Sequence, residues 1–165
     1  MNIVRTIILG RKAKNLNFSI RTSYFYQIRH FKPNMIPIST CLSDPKWFRP
    51  KPGEQYYLDK RGVACGIRYE PLIVQGMGEH VCPCEEKTLQ GQCPVMQEYL
   101  QSLNKLDKEE ILKAFEHCAN YLKKKLNFQE EPIIVLIVYE APDNPCSERA
   151  ALQEFFNCEE LTYPI

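Results

Sequence analysis

Apolar positions along this chain fall into short runs that predict β-strands. Residues 133–138 are all apolar, which predicts a strand that is covered on both faces. Earlier strands are predicted over residues 19–26, 35–40 and 63–74. Pro37 lies inside the second of these and would restrict it to an edge or an end of the sheet, because proline cannot donate a backbone hydrogen bond.

Helical periodicity appears in the second half of the chain. Pro94 stands at the first position of a helix whose apolar stripe continues to Leu103. Asp107 and Glu110 have the spacing of a capping box, and apolar residues at helical intervals follow as far as Leu126. A last helix is predicted over residues 147–157.

The order of these elements predicts the fold class. At 165 residues the chain is long enough for one compact core, so we expect a single domain over residues 1–165. Strands that precede and alternate with helices predict an α/β fold with a central, mostly parallel sheet, flanked by helices in a Rossmann-like three-layer arrangement. Residues 76–93 lack periodicity and are rich in cysteine, so we expect a functional loop or an insertion there.

Composition narrows the class of protein. With 44% hydrophobic and 25% charged residues the chain is typical of soluble globular proteins, and no apolar stretch approaches the length of a membrane span. The N-terminal apolar run is interrupted by Arg5 and lacks the cleavage site of a secretory signal, so we expect a cytoplasmic protein. In that compartment its cysteines are expected to be reduced thiols or metal ligands.

Charge is distributed unevenly along the chain. The first acidic residue is Asp44, and seven basic residues precede it. Arginines such as Arg21 alternate there with aromatic residues such as Tyr24, a pattern that can neutralise phosphates and stack on bases. A phosphorylated small molecule or a nucleic acid is therefore an expected partner. The alternative is a strand pair with aromatic residues in the core and cations in solvent.

The junction after residues 133–138 carries the clearest candidate chemistry, because open parallel sheets bind ligands at the carboxyl ends of their strands. Glu140 is a candidate general base or ligand acceptor. Cys146 precedes the last helix, whose dipole would favour a nucleophilic thiolate. Arg149 is a candidate phosphate ligand, and Ser147 a helix cap. The alternative is a buried Cys146, a solvated Glu140 and an Arg149 that pairs with a glutamate of its own helix.

Two residues after the strand over residues 35–40 belong to the same hypothesis. Asp44 and Trp47 are expected to face Glu140 and Arg149 across one crevice. Trp47 is a candidate stacking platform for a base, with a core anchor as the alternative.

Short motifs in this chain resemble a known family. Glu140, Pro142 and Cys146 with Arg149, after an apolar strand, are similar to the C-terminal signature of the domains of unknown function numbered 488, in which a strand ending in Glu leads to a Cys-His-Arg cluster. Residues 22–25, 36–40 and 45–48 are similar to that family's early strands and Pro-aromatic turn. The resemblance implies an α/β fold with a mostly parallel sheet. Ser147 stands where the family has His, and Arg149 falls one position later than the family's arginine, so any chemistry of that histidine is lost or altered here.

A second group of residues has the composition of a metal site. His80, Cys82, Cys84 and Cys93 are four soft ligands within one short segment, enough for one tetrahedral zinc ion. Their spacing matches no standard zinc finger. A redox pair or disulfide, and an ordinary polar loop, are the alternatives.

These observations lead to three functional hypotheses. The first is an enzyme that acts on a nucleotide, nucleoside or nucleic acid, with phosphate held by Arg149 and the chemistry done by Glu140 or Cys146. The second is a non-catalytic module that binds a phosphorylated ligand or nucleic acid in the same pocket. The third is an interaction protein whose cysteine-rich loop is stabilised by zinc.

Overall fold

The apolar run at residues 133–138 forms the central strand of a parallel sheet in the computed structural model, which describes residues 16–73, 94–144 and 147–162. Within these residues the strands are β1 (Ser19–Tyr24), β2 (Met35–Ser39), β3 (Tyr57–Leu58), β4 (Ala64–Cys65), β5 (Ile67–Arg68), β6 (Ile133–Val138) and β7 (Glu159–Glu160). The sheet order is β5-β2-β6-β1-β7, and each neighbouring pair is parallel. A separate antiparallel pair is formed by β3 and β4. The predicted α/β fold with a mostly parallel central sheet is confirmed.

Strand β6 is buried on both faces, as its composition predicted. Ile134, Leu136 and Val138 contribute to a core on one face of the sheet, and Val135 and Ile137 to a second core on the other. All five side chains are fully screened from solvent. Burying one such side chain stabilises a fold by about 1.5–3 kcal/mol. Strand β6 therefore contributes to the stability of both cores.

Three α-helices of the described residues cover the first face of the sheet. Their bounds are α1 (Pro94–Leu103), α2 (Lys108–Leu126) and α3 (Arg149–Phe156). The carboxylate of Asp107 accepts a hydrogen bond from the backbone N–H of Glu110 at 3.3 Å, which confirms the predicted cap of α2. Helix α3 begins two residues later than predicted, and Asn157 ends it in the left-handed conformation with φ of 51°.

A different layer covers the second face. It consists of the 3-10 helices Phe25–His30 and Lys46–Phe48 together with the β3–β4 pair, and residues 25–31 and 45–65 are termed the outer layer. Its buried side chains include Phe25, Ile28 and Phe48. Within the described residues, α-helices pack on the first face only. The described residues therefore form three layers, α-helices, the sheet, and a layer of 3-10 helices with a β-ribbon, where the Rossmann-like prediction has α-helices on both faces.

The expected position of Pro37 is wrong, because β2 lies inside the sheet between β5 and β6. The N–H of Thr40 donates to the carbonyl of Ile137 at 3.1 Å, so even-numbered residues of β2 direct their N–H groups towards β6 and odd-numbered residues towards β5. Pro37 therefore faces the β5 side, and β5 pairs with β2 only from Ile38 onward. No ladder hydrogen bond is lost at the proline.

Residues 63–74, predicted as one strand region, are divided between two sheets. β4 pairs with β3 whereas β5 pairs with β2, and Gly66 lies between them. Gly66 has φ of +110°, and an added Cβ would stand 2.8 Å from Cδ of Pro50. Glycine is therefore required for both the backbone conformation and the close approach.

Candidate functional site

The carboxyl ends of β1, β2 and β6 meet at one edge of the sheet, because these strands are parallel neighbours. In the register, Tyr24 lies beside Val138 and Ser39 beside Ile137. Residues that immediately follow each strand are consequently brought close together. This is the edge at which open parallel sheets bind their ligands.

An open cleft of about 630 Å³ lies at this edge and extends over the outer layer. Half of its lining residues are aromatic, and it is termed the aromatic cleft; the lining comprises Tyr24, Phe25, Tyr26, Ile28, Arg29, Pro45, Trp47, Tyr57, Asp59, Arg61, Cys65 and Tyr139. Three of the rings are largely exposed, with Tyr26 at 60%, Trp47 at 51% and Tyr139 at 58%. Large aromatic side chains grouped at a surface in this way are typical of binding sites.

The ring of Phe25 contacts three other aromatic rings in and beside the cleft. It is buried directly after β1, and its ring makes edge-to-face contacts with Trp47, Phe48 and Tyr139 at centroid distances of 6.1, 5.2 and 5.5 Å. The hydroxyl of Tyr57 donates to the backbone carbonyl of Trp47. Phe48 is the fully buried anchor of this group, whereas Trp47 and Tyr139 contact Phe25 and keep about half of their surface exposed.

Two arginines line the aromatic cleft. The guanidinium of Arg29 lies 3.8 Å from the ring centroid of Tyr26 and donates to its hydroxyl. Arg61 forms an ion pair with Asp59 at 2.6 Å and donates to the carbonyl of Phe31. Within the described residues no carboxylate pairs with Arg29. Arg29 is therefore the cation of the cleft whose charge is available to a ligand.

Arg149, the predicted phosphate ligand, is almost completely buried beside the cleft. Its Nε donates to Oε1 of Glu160 at 2.7 Å, and its Nη2 donates to the backbone carbonyl of Glu140 at 2.6 Å. The guanidinium also lies 5.8 Å from the ring centroid of Tyr24, which lines the cleft. Its partner therefore comes from β7 and not from its own helix, and the guanidinium is occupied by protein groups.

Three buried polar atoms in this group have no hydrogen-bond partner within the part of the chain that the structure describes. They are Oε1 of Glu140, Nη1 of Arg149 and Oε2 of Glu160. Burial of an unpaired polar atom costs about 1–3 kcal/mol, so the group carries unused hydrogen-bonding capacity. Arg149 thus joins α3 to β7 and to the residue after Tyr139, while its Nη1 group has no acceptor among the described residues.

A buried acidic group that the sequence did not reveal lies at the same edge. The Sγ atom of Cys41 is 3.9 Å from Oε1 of Glu148, and Glu148 immediately precedes α3. Burial, with a further contribution from the charge of Glu140, raises the pKa of Glu148 to about 7. Burial and the charge of Glu148 raise the pKa of the Cys41 thiol well above its usual range. The chain segment that follows β2 therefore reaches the region around Glu140, because Cys41 contacts Glu148 there.

The other predicted ligand residues are used within the fold. The hydroxyl of Ser147 accepts from the backbone N–H of Arg149 at 3.1 Å, although the N-cap residue of α3 is Glu148 and not Ser147. Asp44 is buried and pairs with Arg68 at 2.7 Å. Arg21 lies within β1 and is not part of the cleft lining. Of the predicted set, the cleft contains Tyr24 and Trp47.

A second cleft, of about 570 Å³, is lined by residues of α2 and by residues around β5, among them Tyr56, Arg68 and Tyr121. The hydroxyl of Tyr56 is hydrogen bonded to Tyr121, which raises the pKa of Tyr56. Arg68 pairs with Asp44. Tyr56 and Arg68 of this second cleft therefore already have protein partners, and Tyr121 is its one largely exposed ring among the described residues, against three in the aromatic cleft, which favours the aromatic cleft as the functional site.

Several predicted residues lie outside the described ranges. They are the candidate nucleophile Cys146 and the candidate zinc ligands His80, Cys82, Cys84 and Cys93. Within residues 16–73, 94–144 and 147–162, no three His, Cys, Asp or Glu side chains are grouped to hold a metal ion. None of the helices in those ranges has the length and apolar character needed to cross a membrane.

Comparison of this chain with protein-family models, with curated proteins and with solved structures finds no match. The resemblance to the family numbered 488 stays a prediction from short motifs. The function must therefore be inferred from the geometry of the protein's own residues.

Proposed function

We propose that the protein binds a nucleotide or nucleic-acid ligand, with a base stacked in the aromatic cleft. The observation that supports this most directly is the group of exposed rings of Tyr26, Trp47 and Tyr139 around one cleft at the carboxyl edge of a parallel sheet. Stacking of a base on such a ring contributes about 1–3 kcal/mol, and it requires an exposed ring face of this kind.

The charge of the cleft favours a ligand that carries phosphate. Arg29 lines the cleft, and within the described residues it has no carboxylate partner. A purely apolar ligand would leave this guanidinium without an anion, whereas a phosphate beside the stacked base would accept its hydrogen bonds. A nucleotide unit combines the planar ring and the anion that these residues are suited to bind.

Binding without chemistry is the form of the proposal that the geometry favours. The enzymatic hypothesis assigns phosphate binding to Arg149. Its guanidinium instead donates hydrogen bonds to the carboxylate of Glu160 and to the backbone carbonyl of Glu140. An enzyme acting on the same ligand is the second candidate: burial raises the pKa of Glu148 to about 7, which suits acid–base catalysis, but Glu148 lies at the same edge of the sheet without lining the aromatic cleft. Mass spectrometry of an RNA incubated with the protein and with Glu148→Gln tests it: products that require Glu148 would support the enzyme.

The single tryptophan makes the binding proposal directly measurable. Trp47 is the only tryptophan of the chain and lines the cleft, so its fluorescence reports stacking there alone. Titration with adenosine, guanosine, cytidine and uridine monophosphates should quench it in a saturable way. Tyr139→Leu retains an apolar contact with Phe25 but removes a ring face, and should weaken binding by about tenfold, as loss of one stacked base predicts.

Tyr121→Leu is the matched control. Tyr121 is a tyrosine of similar exposure, and it lines the second cleft. This variant should bind the nucleotides as the unaltered protein does. Absence of saturable quenching, or equal losses in the two leucine variants, would contradict a base-binding site at the aromatic cleft.

A further inference from the structure

The stretch of chain that contains the outer layer is strongly basic. Residues 25–65 contain seven lysines and arginines but three aspartates and glutamates. Two of those three acids are paired with arginines, Asp44 with Arg68 and Asp59 with Arg61. The charge that remains on this side of the molecule is therefore positive.

Four lysines contribute most of this free charge. Lys32, Lys46, Lys51 and Lys60 are exposed, and within the described residues none of them forms an ion pair. Lys46 precedes Trp47 in the same 3-10 helix, and Lys60 lies beside Arg61 at the turn between β3 and β4. Lys46 and Lys60 thus belong to the elements that provide the walls of the aromatic cleft, whereas Lys51 lies between Pro50 and Glu54, which line the second cleft.

The helices on the opposite face of the sheet lack this imbalance within the described residues. Residues 94–126, which form α1 and α2, contain six lysines and five acidic residues. Among the described residues, the excess of positive charge therefore lies on the side with the exposed rings. Coincidence of exposed aromatic residues with unpaired cations is the combination by which proteins bind single-stranded nucleic acid.

The shape of the cleft also favours a chain over a single nucleotide. Pockets for small molecules enclose most of the surface of their ligand. The aromatic cleft is open, and its rings Tyr26, Trp47 and Tyr139 are more than half exposed. An extended ligand that passes across the outer layer would cover these rings and reach the lysines, which a mononucleotide in the cleft would not.

We infer that the outer layer is a binding surface for single-stranded nucleic acid, in which the aromatic cleft stacks bases and the surrounding lysines contact successive phosphates. This inference rests on the proposed function, since it takes the cleft as the base-binding site. It goes further in naming a polyanionic chain as the ligand and the lysines as its phosphate contacts.

The experiment compares a mononucleotide with single-stranded oligonucleotides of about eight nucleotides, a length within the usual range for such sites. Adenosine monophosphate, an RNA and a DNA of the same mixed sequence, and the DNA as a duplex are titrated at several salt concentrations, with Trp47 fluorescence and with anisotropy of labelled strands. The single strands should bind at least about tenfold more tightly than the mononucleotide. Their affinity should fall with salt with a logarithmic slope of about −0.7 for each phosphate contacted.

Charge-removing variants test the role of the lysines. Lys46→Ala with Lys60→Ala should make the salt dependence shallower by about 1.4 in logarithmic slope, as the loss of two phosphate contacts predicts. Lys113→Ala with Lys124→Ala, two exposed lysines of α2, is the matched control and should leave affinity and slope unchanged. A preference for RNA or for DNA would identify the natural strand, and either result supports the inference.

The outcomes separate the two proposals. Quenching by the mononucleotide, with single strands that bind no better or without salt dependence, would overturn the inference and leave the proposed function standing. Tighter binding of the duplex, or equal effects of the two lysine pairs, would also overturn it. If neither mononucleotide nor single strand quenches Trp47, both proposals fail.

Discussion

Nε of Arg149 lies 2.7 Å from Oε1 of Glu160, and this ion pair joins the start of α3 to the last strand of the sheet. The hydroxyl of Thr22 donates to the same carboxylate oxygen at 2.7 Å. One carboxylate therefore links β1, β7 and α3 next to the edge where the aromatic cleft lies. The Arg149 side chain is 2% exposed, so solvent cannot replace either partner.

Removal of the arginine should destabilise the protein strongly. In Arg149→Met the carboxylate of Glu160 loses its cation in a largely buried position, and we expect a loss of about 3–5 kcal/mol in the free energy of unfolding. In Glu160→Gln the amide oxygen can still accept from Arg149 and Thr22, so the loss should be smaller. Urea denaturation of both single variants and of the double variant measures the coupling. Strictly additive losses would show that the pair is not formed in solution.

The stability of the protein should depend on the protonation of Glu148. Its pKa is raised to about 7 in the folded protein from an ordinary value of 4.5, so the folded state binds the proton more tightly than the unfolded state. The stabilisation from this proton is complete below about pH 4.5 and is lost as the pH rises through about 7, an effect on the order of 3 kcal/mol.

Glu148→Gln isolates this contribution, because the amide stays neutral at every pH. The variant should gain stability relative to the unaltered protein between about pH 5 and about pH 8, as measured by urea unfolding. A difference that does not change over this range would show that Glu148 is ionised in the folded state.

The thiols of the described core should be unreactive until the protein unfolds. Burial raises the pKa of Cys65 to about 11 and that of Cys158 to about 12, so at about pH 8 about one molecule in a thousand or fewer carries the thiolate. Iodoacetamide labelling followed by peptide mass spectrometry should find both cysteines unlabelled in buffer and labelled in urea. Cys146, if it is the nucleophile predicted from the sequence, should be labelled first. Rapid native labelling of Cys65 would contradict the burial of its thiol.

Gly66 should be far less tolerant of substitution than Gly53. Both have positive φ, at +110° and +86°, but an added Cβ at Gly66 would meet Pro50 and the carbonyl of Phe48, whereas nothing lies within 4 Å at Gly53. We expect Gly53→Ala to cost about 1 kcal/mol and Gly66→Ala at least about 2 kcal/mol. Thermal denaturation of the two alanine variants gives the comparison. Equal losses would mean that the backbone conformation alone sets the cost.

Local patterns in the sequence were sufficient for much of the fold. The central strand was predictable because a strand buried on both faces needs no polar position, and residues 133–138 have none. The start of α2 was predictable because its cap joins Asp107 to Glu110, three residues apart. Interactions of this kind are complete within one turn of the chain and do not depend on the rest of the fold.

The candidate site was predictable only in its location. Trp47 and Phe48 are neighbours of similar chemistry, and the packing of the outer layer exposes one and buries the other. Glu148 acquires its raised pKa from burial near Cys41, which is more than a hundred positions away in the sequence. The partner of Arg149 comes from β7, a strand of two charged residues that has no apolar pattern. Exposure, pKa values and ion-pair partners that depend on such distant neighbours cannot be predicted from a short stretch of sequence.

Within the described residues, the two outermost strands of the sheet are both very short. β5 and β7 contribute two residues each, and these include Arg68 at one edge and Glu159 and Glu160 at the other. Short, charged outer strands offer few free backbone groups to a second chain, and proteins use them to disfavour edge-to-edge aggregation. The shortness and charge of β7, which leave it without an apolar sequence pattern, therefore also make it a poor template for pairing with another chain.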